Sequence, residues 1–195
     1  MIRFFDLLFS ILGLVILSPL FALVAIWIKL DSNGPVFYKQ TRVGLNNNDF
    51  KLLKFRTMVT DAEKKGLITV GGHDPRVTRS GYFIRKYKLD ELPQLVNVLK
   101  GDMSLVGPRP EVRKYVDLYD TYQRKVLRVK PGITDYASIE YIDENEMLGN
   151  SDNPEKVYIE QVMPEKIRYN MKFINNRSLK EYFKIIFLTV GKIIQ

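Results

Sequence analysis

The sequence predicts an α+β protein that is mainly helical, with a membrane helix in front of a small mixed domain. Three features support this fold class. The run Leu7–Leu30 is apolar with a single charged residue, two alternating segments flank "GLNNND" and predict a β-hairpin over Val36–Met58, and apolar residues later recur at helical spacing. We therefore divide the chain into a membrane segment over 1–30 and a domain over 31–195.

Composition limits the classes of function. With 46% hydrophobic and 27% charged residues, the 195-residue chain is too apolar to be disordered. Its formal net charge of +8 favours polyanionic partners, among which nucleic acid, anionic lipid head groups and phosphorylated substrates remain open. The chain has no cysteine and one histidine, His73, so disulfides, thiolate nucleophiles and cysteine zinc sites are excluded. An acid, base or nucleophile is therefore expected among carboxylates, hydroxyls and lysines.

The apolar N-terminal segment is long enough to cross a membrane but has a proline at its centre. Its 24 residues would reach about 36 Å as a helix, against a bilayer core of about 30 Å. Pro19 cannot donate to the Val15 carbonyl, so the helix should bend or break at Ser18-Pro19. The Ser18 hydroxyl is expected to bond back to the Leu14 carbonyl. The residues alone favour a kinked spanning helix, with a re-entrant hairpin as the alternative.

The domain behind this segment is predicted to alternate short helices with irregular loops. Gly, Pro and Ser residues mark Thr69–Gly81 as a loop. An apolar stripe at helical spacing in "PQLVNVLK" predicts a helix that Gly101 ends. In chain order we predict helices over Tyr82–Leu89 and Pro93–Lys100, a loop over Ser104–Glu111, a basic helix over Val112–Val129, a turn at Lys130–Thr134 and an acidic surface loop over Asp143–Asn153.

The C-terminal segment "SLKEYFKIIFLTVGKIIQ" predicts an amphipathic helix. Lysines lie largely on one side of it. The other side is apolar and consists of Leu179, Tyr182, Phe183, Ile186, Val190 and Ile193. Such a basic helix can lie in the membrane interface or pack on the protein core, and the pattern does not choose between the two.

Adjacent carboxylates at Asp90 and Glu91 are the leading candidates for chemistry. They precede Pro93, and acidic residues before a helix with proline in its first turn also act as ordinary caps, so this alternative stays open. Arg85 and Lys86 lie about one helical turn before Asp90. These cations are expected to favour the charged forms of both carboxylates.

Arg109 lies between Pro108 and Pro110, and such a stiff loop suits bidentate bonds from an arginine to phosphate. An incidental charge in a rigid connector is the alternative. With the two carboxylates, the arginine suits phosphoryl transfer, in which one carboxylate attacks phosphorus and its neighbour holds Mg²⁺. The chain lacks GxxxxGK[ST] and GxGxxG motifs, which argues against a P-loop kinase or a dinucleotide site. We interpret His73 as a loop residue.

Four pieces of the chain together resemble a known family. They are the apolar segment with Ser18-Pro19, "KFRTM", the block "DPRVTRSGYFIRKYKLDELPQLVNVLKGDMSLVGPRP" and "KPGIT". This pattern is similar to the bacterial sugar transferases, specifically the small monotopic polyprenyl-phosphate phosphoglycosyl transferases. The resemblance implies a re-entrant membrane helix, interfacial amphipathic helices and a catalytic domain that faces the cytoplasm at the bacterial inner membrane. It makes the hairpin the favoured form of the N-terminal segment.

The resemblance also implies a reaction. Such enzymes move a sugar-1-phosphate, here expected to be of an N-acetylated hexosamine, from a UDP-sugar to polyprenyl phosphate, and they release UMP. Asp90 would be the nucleophile of a covalent aspartyl-phosphosugar intermediate, and Glu91 would assist and hold Mg²⁺ together with Asp90. The residues expected to contact the phosphates or nucleotide are Arg56, Arg85, Pro108 and Arg109. Membrane lipids are expected partners, nucleic acid is not, and a homodimer is compatible with the sequence.

The chain departs from this family after Thr134. Many relatives have G-L-A-Q or G-L-W-Q after "PGIT", where this chain has "DYASIEYIDENE", and many have an aspartate near the position of Tyr182. These differences leave the sugar and the glycan pathway undefined. Two alternatives stay open: a membrane-tethered basic protein that binds nucleic acid or anionic lipid, and a membrane-anchored phosphatase.

Overall fold

The computed structural model describes residues 1–62, 74–141, 144–149 and 151–194. Its helices are α1 (Ile2–Ile16), α2 (Ser18–Asp31), α3 (Arg79–Lys86), α4 (Gln94–Lys100), α5 (Arg113–Val116), α6 (Tyr136–Glu140), α7 (Glu144–Gly149), α8 (Pro154–Val157), α9 (Met163–Asn175) and α10 (Leu179–Ile194). Its strands are β1 (Phe37–Val43), β2 (Asp49–Phe55), β3 (Ser104–Val106) and β4 (Gly132–Thr134). The predicted class, mainly helical with a small hairpin, is confirmed.

The N-terminal helix is broken where the sequence has its proline. α1 and α2 are separated by Leu17 and bend by 61°. Pro19 lies in the first turn of α2 and leaves the Val15 carbonyl without its usual donor, and the Ser18 hydroxyl donates to that carbonyl at 2.8 Å. The acceptor predicted for Ser18, Leu14, was therefore wrong by one position. No single described helix is long and apolar enough to cross a membrane, whereas the bent pair meets that test by length and composition.

Both ends of this helix pair are attached to the same domain. At the start of α1, Arg3 donates to the carbonyls of Val98 and Leu99 in α4 at 2.6 and 3.0 Å. At the end of α2, Asp31 accepts from the N–H and the hydroxyl of Ser80 in α3 at 2.9 and 2.8 Å. Because the helix pair bends, the start of α1 and the end of α2 both contact the rest of the fold, at α4 and at α3.

β1 and β2 form the predicted hairpin, and both strands lie within Val36–Met58. They are antiparallel, with Val43 opposite Asp49 beside the turn. Asn46 and Asn47 have positive φ angles of 55° and 64° in that turn. Asparagine tolerates this conformation better than most residues, which explains the run "GLNNND".

The helix that precedes the carboxylates begins earlier than predicted. α3 starts at Arg79 rather than at Tyr82, because the Thr78 side chain caps it by accepting the Gly81 N–H at 3.0 Å. The prediction of a loop that lasts through Gly81 was wrong at its end. The earlier part of that loop, with His73, lies outside the described residues.

The second predicted helix, Pro93–Lys100, is confirmed as α4. It ends at Gly101, whose φ of 91° is a left-handed conformation that glycine adopts without steric penalty. Between α3 and α4 the chain makes a 3₁₀ turn over Leu89–Glu91. The prediction of a helix through Leu89 was therefore wrong at its C-terminal end.

Two predicted loops pair as short parallel strands. Ser104 lies opposite Gly132 and Val106 opposite Thr134, so the predictions of a loop at Ser104–Glu111 and a turn at Lys130–Thr134 were wrong for these residues. A Cβ on Gly132 would lie 2.1 Å from the backbone nitrogen of Gly107. Only glycine allows this approach, and three-residue strands carry too short a pattern to be predicted.

The predicted basic helix over Val112–Val129 is wrong, because the chain there divides into α5 and a 3₁₀ helix over Gln123–Arg128. The Asp120 carboxylate accepts the Gln123 N–H at 2.7 Å, and the Gln123 side chain accepts the Asp120 N–H at 3.0 Å. This reciprocal pair starts a new turn in the manner of a capping box. The acidic loop predicted over Asp143–Asn153 is wrong as well, since α7 lies within it.

α10 confirms the predicted C-terminal helix and packs on the core along one side. Tyr182 and Ile185 are fully buried, whereas Val190, predicted on the same side, is 49% exposed. Phe187 and Leu188 are exposed with it. Packing on the core is therefore confirmed for one side, and the interfacial role stays a prediction for the exposed apolar side.

Asp6 is a buried carboxylate in α1 that joins three elements. It accepts hydrogen bonds from the hydroxyl of Ser104, the N–H of Leu105 and the hydroxyl of Tyr182, each at 2.9 Å. These four residues form the Asp6 cluster, in which every hydrogen-bond donor is neutral. The cluster attaches α1 to β3 and α10, which gives Tyr182 a structural role.

Candidate active site

The carboxylate pair, Asp90 and Glu91, lies on the tight turn between α3 and α4. Lys88 enters this turn with a φ of 55°, an uncommon conformation for a residue with a Cβ. The following 3₁₀ turn directs both carboxylates inward, because their side chains are only 13% and 18% exposed. The turn therefore holds two adjacent acidic groups largely away from water.

Glu91 is the more strongly paired of the two. Arg109 contacts both of its carboxylate oxygens, with Nη1 at 3.1 Å from Oε2, and Lys54 Nζ lies 3.2 Å from Oε1. Burial alone would raise the pKa of Glu91, but the charges and hydrogen bonds of Arg109 and Lys54 outweigh burial and hold the pKa well below its usual range. Glu91 is therefore ionised throughout the neutral pH range.

Asp90 has a different environment. Its Oδ2 atom lies 4.0 Å from Lys54 Nζ, which is a weaker contact than those of Glu91. Burial raises the pKa of Asp90, the nearby charge of Lys54 opposes that effect, and the charge of Glu91 adds to it. The expectation that nearby cations favour the charged forms holds for both groups: Lys54, Arg85 and Arg109 act this way at Asp90, and Arg109 and Lys54 do so at Glu91. At Asp90 burial outweighs them, so its pKa is raised.

Lys54 was missed by the sequence analysis although it contacts both carboxylates. It lies in β2, and its side chain is only 17% exposed. Burial lowers its pKa, while the charges of Glu91 and Asp90 act in the opposite direction. The sequence does contain a signal for Lys54. The lysine follows Phe50 and Leu52 at alternate positions and so lies on the same face of β2, where a charged residue needs a partner.

The loop that carries Arg109 is held by its own backbone. The Arg109 N–H donates to Asp135 at 2.9 Å, and the Pro108 carbonyl accepts the Gly132 N–H at 2.9 Å. On the other side, Arg42 donates to the Pro110 carbonyl at 3.0 Å. The proline-flanked arginine predicted from sequence is thus positioned against Glu91, while the Pro108 carbonyl is hydrogen-bonded to Gly132 in β4. A substrate contact of Pro108 stays a prediction.

The other two predicted phosphate-binding arginines have different positions. Arg85 lies close enough to Asp90 to favour the ionised form of that carboxylate. Arg56 instead donates to the backbone carbonyls of Ser32, Asn33 and Pro35 at 2.8, 2.6 and 2.7 Å. Its guanidinium closes the end of α2 rather than joining the carboxylate pair. Arg56 directly follows β2, and its guanidinium is committed to these three carbonyls, so its contact with phosphate stays a prediction.

Adjacent carboxylates fit the way proteins hold Mg²⁺, which takes one or two carboxylates and completes its shell with phosphate oxygens and water. Among the described residues there is no group of three or more acidic or histidine side chains that would hold a metal ion. Both oxygens of Glu91 are also engaged by cations. The residues thus fit a metal ion that arrives with a phosphorylated ligand.

Partly buried carboxylates beside an arginine fork and a partly buried lysine define a class of site that handles phosphate esters or diphosphates. The comparison with known families agrees with this class. The model of the bacterial sugar transferases matches residues 1–195. The chain belongs to the bacterial sugar transferase family.

Characterised relatives carry names that specify related reactions. The chain is 39% identical over 196 residues to a UDP-N-acetylgalactosamine-undecaprenyl-phosphate N-acetylgalactosaminephosphotransferase of Aeromonas hydrophila, with 98% of the chain and 43% of that protein covered. It is 38% identical over 191 residues to a UDP-glucose:undecaprenyl-phosphate glucose-1-phosphate transferase of Escherichia coli, with 96% and 39% covered. The chain thus spans about two fifths of the length of these relatives.

A third relative has nearly the length of this chain. It is the uncharacterized sugar transferase EpsL of Bacillus subtilis, 38% identical over 192 residues, with 98% of the chain and 86% of that protein covered. The names of the first two relatives specify different sugars, and both relatives have almost the same identity to the chain. Overall similarity therefore does not define the sugar.

Proposed function

We propose that the protein is a phosphoglycosyl transferase that moves a sugar-1-phosphate from a UDP-sugar to undecaprenyl phosphate. In the first step, an oxygen of Asp90 attacks the phosphorus next to the sugar. The bond from that phosphorus to the UMP oxygen breaks, and UMP leaves with the bonding electrons. In the second step, a phosphate oxygen of the lipid attacks the same phosphorus, and the Asp90 carboxylate is released.

The asymmetry of the carboxylate pair is the observation that carries this proposal. Glu91 is held by Arg109 and Lys54 at hydrogen-bond distance, whereas Lys54 lies 4.0 Å from an oxygen of Asp90. A carboxylate that is fixed by a bidentate arginine is poorly suited to form a new bond, since it would first lose those hydrogen bonds. Asp90 is the better nucleophile, and Glu91 holds the cations in place around the diphosphate.

Mg²⁺ is the expected cofactor, held by Asp90 and Glu91 with the diphosphate of the donor. When bound, it neutralises charge on the phosphoryl oxygens. Lys54 and Arg109 also balance the negative charge of the phosphoryl oxygens, because both already contact the carboxylate pair. We propose an N-acetylated hexosamine as the sugar, and a panel of UDP-sugars assayed for UMP release would overturn that choice if UDP-glucose were preferred.

Asp90→Asn tests the chemistry. Purified enzyme is mixed with Mg²⁺ and UDP-sugar without the lipid acceptor, and intact mass is measured for an adduct of one phosphosugar. We expect the adduct in the native protein and its loss in Asp90→Asn, with the rate of UMP release lower by roughly three orders of magnitude. Asp152→Asn, at an exposed carboxylate, serves as the matched control.

Two outcomes would contradict the proposal. Normal UMP release by Asp90→Asn would exclude the nucleophile. Free sugar phosphate in place of a diphosphate-linked lipid, when undecaprenyl phosphate is present, would make the protein a phosphatase. The first assay therefore tests Asp90 as the nucleophile, and the second tests whether the phosphosugar is transferred to the lipid.

We also propose that residues 1–30 form a re-entrant hairpin in the bacterial inner membrane and that residues 31–195 form a cytoplasmic catalytic domain. The attachment of Arg3 to α4 and of Asp31 to α3 supports one side for both ends. The helix pair also exposes large apolar side chains to its surroundings, which include Leu8, Ile11, Leu12, Val15, Ile16, Leu23, Ile26, Trp27 and Leu30. Such a hairpin brings the carboxylate pair to the surface where a soluble donor and a lipid acceptor meet.

Cysteine labelling tests this topology, since the native chain has no cysteine. One variant has a cysteine inserted after Met1 and another has Asn33→Cys, at an exposed position just past α2. An impermeant thiol reagent added to intact cells should modify neither residue, and both should react after the cells are opened. Labelling of only one site in intact cells would mean that the helix pair spans the membrane.

A further inference from the structure

The hydroxyl of Tyr38 is a buried polar group that the proposed chemistry has not used. Its Oη atom is buried and has no hydrogen-bond partner among the described residues. Buried hydroxyls are nearly always hydrogen bonded, and an unpaired one costs about 1–3 kcal/mol. Such a group in a native fold calls for an explanation, and a ligand that completes the hydrogen bond is one of them.

The strand register puts Tyr38 beside the carboxylate pair. Tyr38 in β1 lies directly opposite Lys54 in β2, and side chains of such partners stand on the same face with Cβ atoms about 4.5–5.5 Å apart. Lys54 in turn contacts Glu91 at 3.2 Å and Asp90 at 4.0 Å. Tyr38 is therefore the cross-strand neighbour of the cation that lies between the two carboxylates.

The same face of β1 continues from Tyr38 toward the arginine loop. Gln40 and Arg42 follow at alternate positions, and Gln40 Oε1 accepts from Arg42 Nε and Nη2 at 2.9 and 2.8 Å. Arg42 also donates to the Pro110 carbonyl at 3.0 Å. A polar row thus runs along one strand from the carboxylate pair to the loop that carries Arg109.

The missing partner of Tyr38 has to be a hydrogen-bond acceptor beside a lysine. The Lys54 ammonium offers only donors, so it cannot accept a bond from the hydroxyl of Tyr38. A phosphoryl oxygen accepts from both groups and carries the negative charge that suits Lys54. Tyr38 as a whole is partly exposed, so a ligand at the carboxylate pair can approach its hydroxyl.

We infer that the Tyr38 hydroxyl donates a hydrogen bond to a non-bridging oxygen of the phosphoryl group that Asp90 attacks, with Lys54 as the second donor. This inference rests on the proposed function and adds a catalytic residue to it. The hydroxyl lacks a partner in the free protein and gains one when the nucleoside diphosphate sugar binds. Its removal should therefore have opposite effects on stability and on catalysis.

Tyr38→Phe tests the inference, with Tyr122→Phe at an exposed tyrosine as the matched control. Thermal unfolding is measured in the same detergent for all three proteins, together with the single-turnover rate of adduct formation on Asp90. For Tyr38→Phe we expect a midpoint equal to or above that of the native protein, because an unpaired polar atom is removed. We expect adduct formation to be about tenfold slower, because the phosphoryl oxygen loses a donor. Tyr122→Phe should change neither value.

Two results would overturn the inference. An unchanged rate of adduct formation in Tyr38→Phe, with the native protein active, would exclude a substrate contact and leave the proposed function intact. A lower unfolding midpoint would mean that a structural partner, such as a buried water molecule, already satisfies the hydroxyl. If the native protein itself formed no adduct on Asp90, the proposed function would fail first, and the inference with it.

Discussion

Two carboxylate sites in this protein, one buried and one partly buried, differ in the charge of their partners. Asp6 in α1 accepts hydrogen bonds from two hydroxyls and one backbone N–H, all of them neutral. Glu91 is paired with Lys54 and Arg109, and Asp90 lies beside the same lysine. One site connects α1 to β3 and α10, and the other gathers cations around a pair of acids.

The difference indicates what each site can do. Neutral donors have no strong affinity for an incoming anion, so an anionic ligand does not displace Asp6 from the donors of its cluster. Lysine and arginine can exchange a carboxylate for a phosphate, because both are anionic acceptors of the same donors. The cationic site is thus suited to bind and release phosphorylated ligands, while the neutral site is suited to hold helices together.

Asp6→Leu should have the largest effect on stability. It leaves the donors of Ser104, Leu105 and Tyr182 buried without an acceptor, and we expect a loss of about 3 kcal/mol in the free energy of unfolding. Tyr182→Phe removes one donor and keeps the acceptor, so it should cost about 1 kcal/mol. Denaturant unfolding in one detergent measures both values. Equal losses in the two variants would contradict the expectation that the bonds from Ser104 and Leu105 add to the stability given by the bond from Tyr182.

Lys54→Met should change catalysis and its pH dependence. Attack by Asp90 requires its ionised form, and the charge of Lys54 opposes the rise that burial causes in the pKa of Asp90. Without Lys54 that pKa rises further, so the fall in activity at low pH should begin at a higher pH than in the native protein. At neutral pH we expect at least a roughly tenfold lower rate of adduct formation.

Lys51→Met is the matched control for this prediction. Lys51 lies in the same strand but is exposed, and its ammonium contacts the Thr41 hydroxyl at 2.6 Å. Its pH profile should coincide with that of the native protein. A profile for Lys54→Met that is lowered at every pH without a shift would mean that Lys54 does not set the ionisation of Asp90.

Arg56→Lys should have the smallest effect, and it separates structure from substrate binding. The lysine keeps the charge but cannot reach three carbonyls as the guanidinium does, so the free energy of unfolding should fall by about 1 kcal/mol. The KM for UDP-sugar should stay within about twofold of the native value, whereas Arg109→Lys should raise it about tenfold or more. A raised KM in Arg56→Lys at native stability would restore the phosphate contact that the sequence predicts.

The sequence is informative where one residue dictates local geometry. Pro19 defines the bend between α1 and α2, the asparagines of "GLNNND" mark the hairpin turn, and Gly101 marks the end of α4. The prolines around Arg109 likewise indicate a stiff loop, and the structure brings that arginine to Glu91. In each case the backbone geometry depends on the identity of one or two neighbouring residues, so the signal is local and readable.

The remaining features depend on contacts that are distant in sequence. Lys54 meets Glu91 across 37 positions, and Tyr182 meets Asp6 across 176. The strand face of Lys54 indicates that it needs a partner, but nothing local identifies that partner, because only the tertiary structure brings the counter-charge to it. The parallel pairing of β3 with β4 is similar, since it depends on the close approach of Gly107 to Gly132.

The bond between Asp6 and Tyr182 has a consequence for how the protein is made. A ribosome synthesises Asp6 176 positions before Tyr182, so α1 lacks one of its partners while the intervening stretch is made. During that time its apolar surface is exposed, and long-range contacts of this kind form slowly. Insertion of α1 into lipid before its final docking would shield that surface. Membrane entry would then come first and assembly of the domain would be completed when α10 emerges.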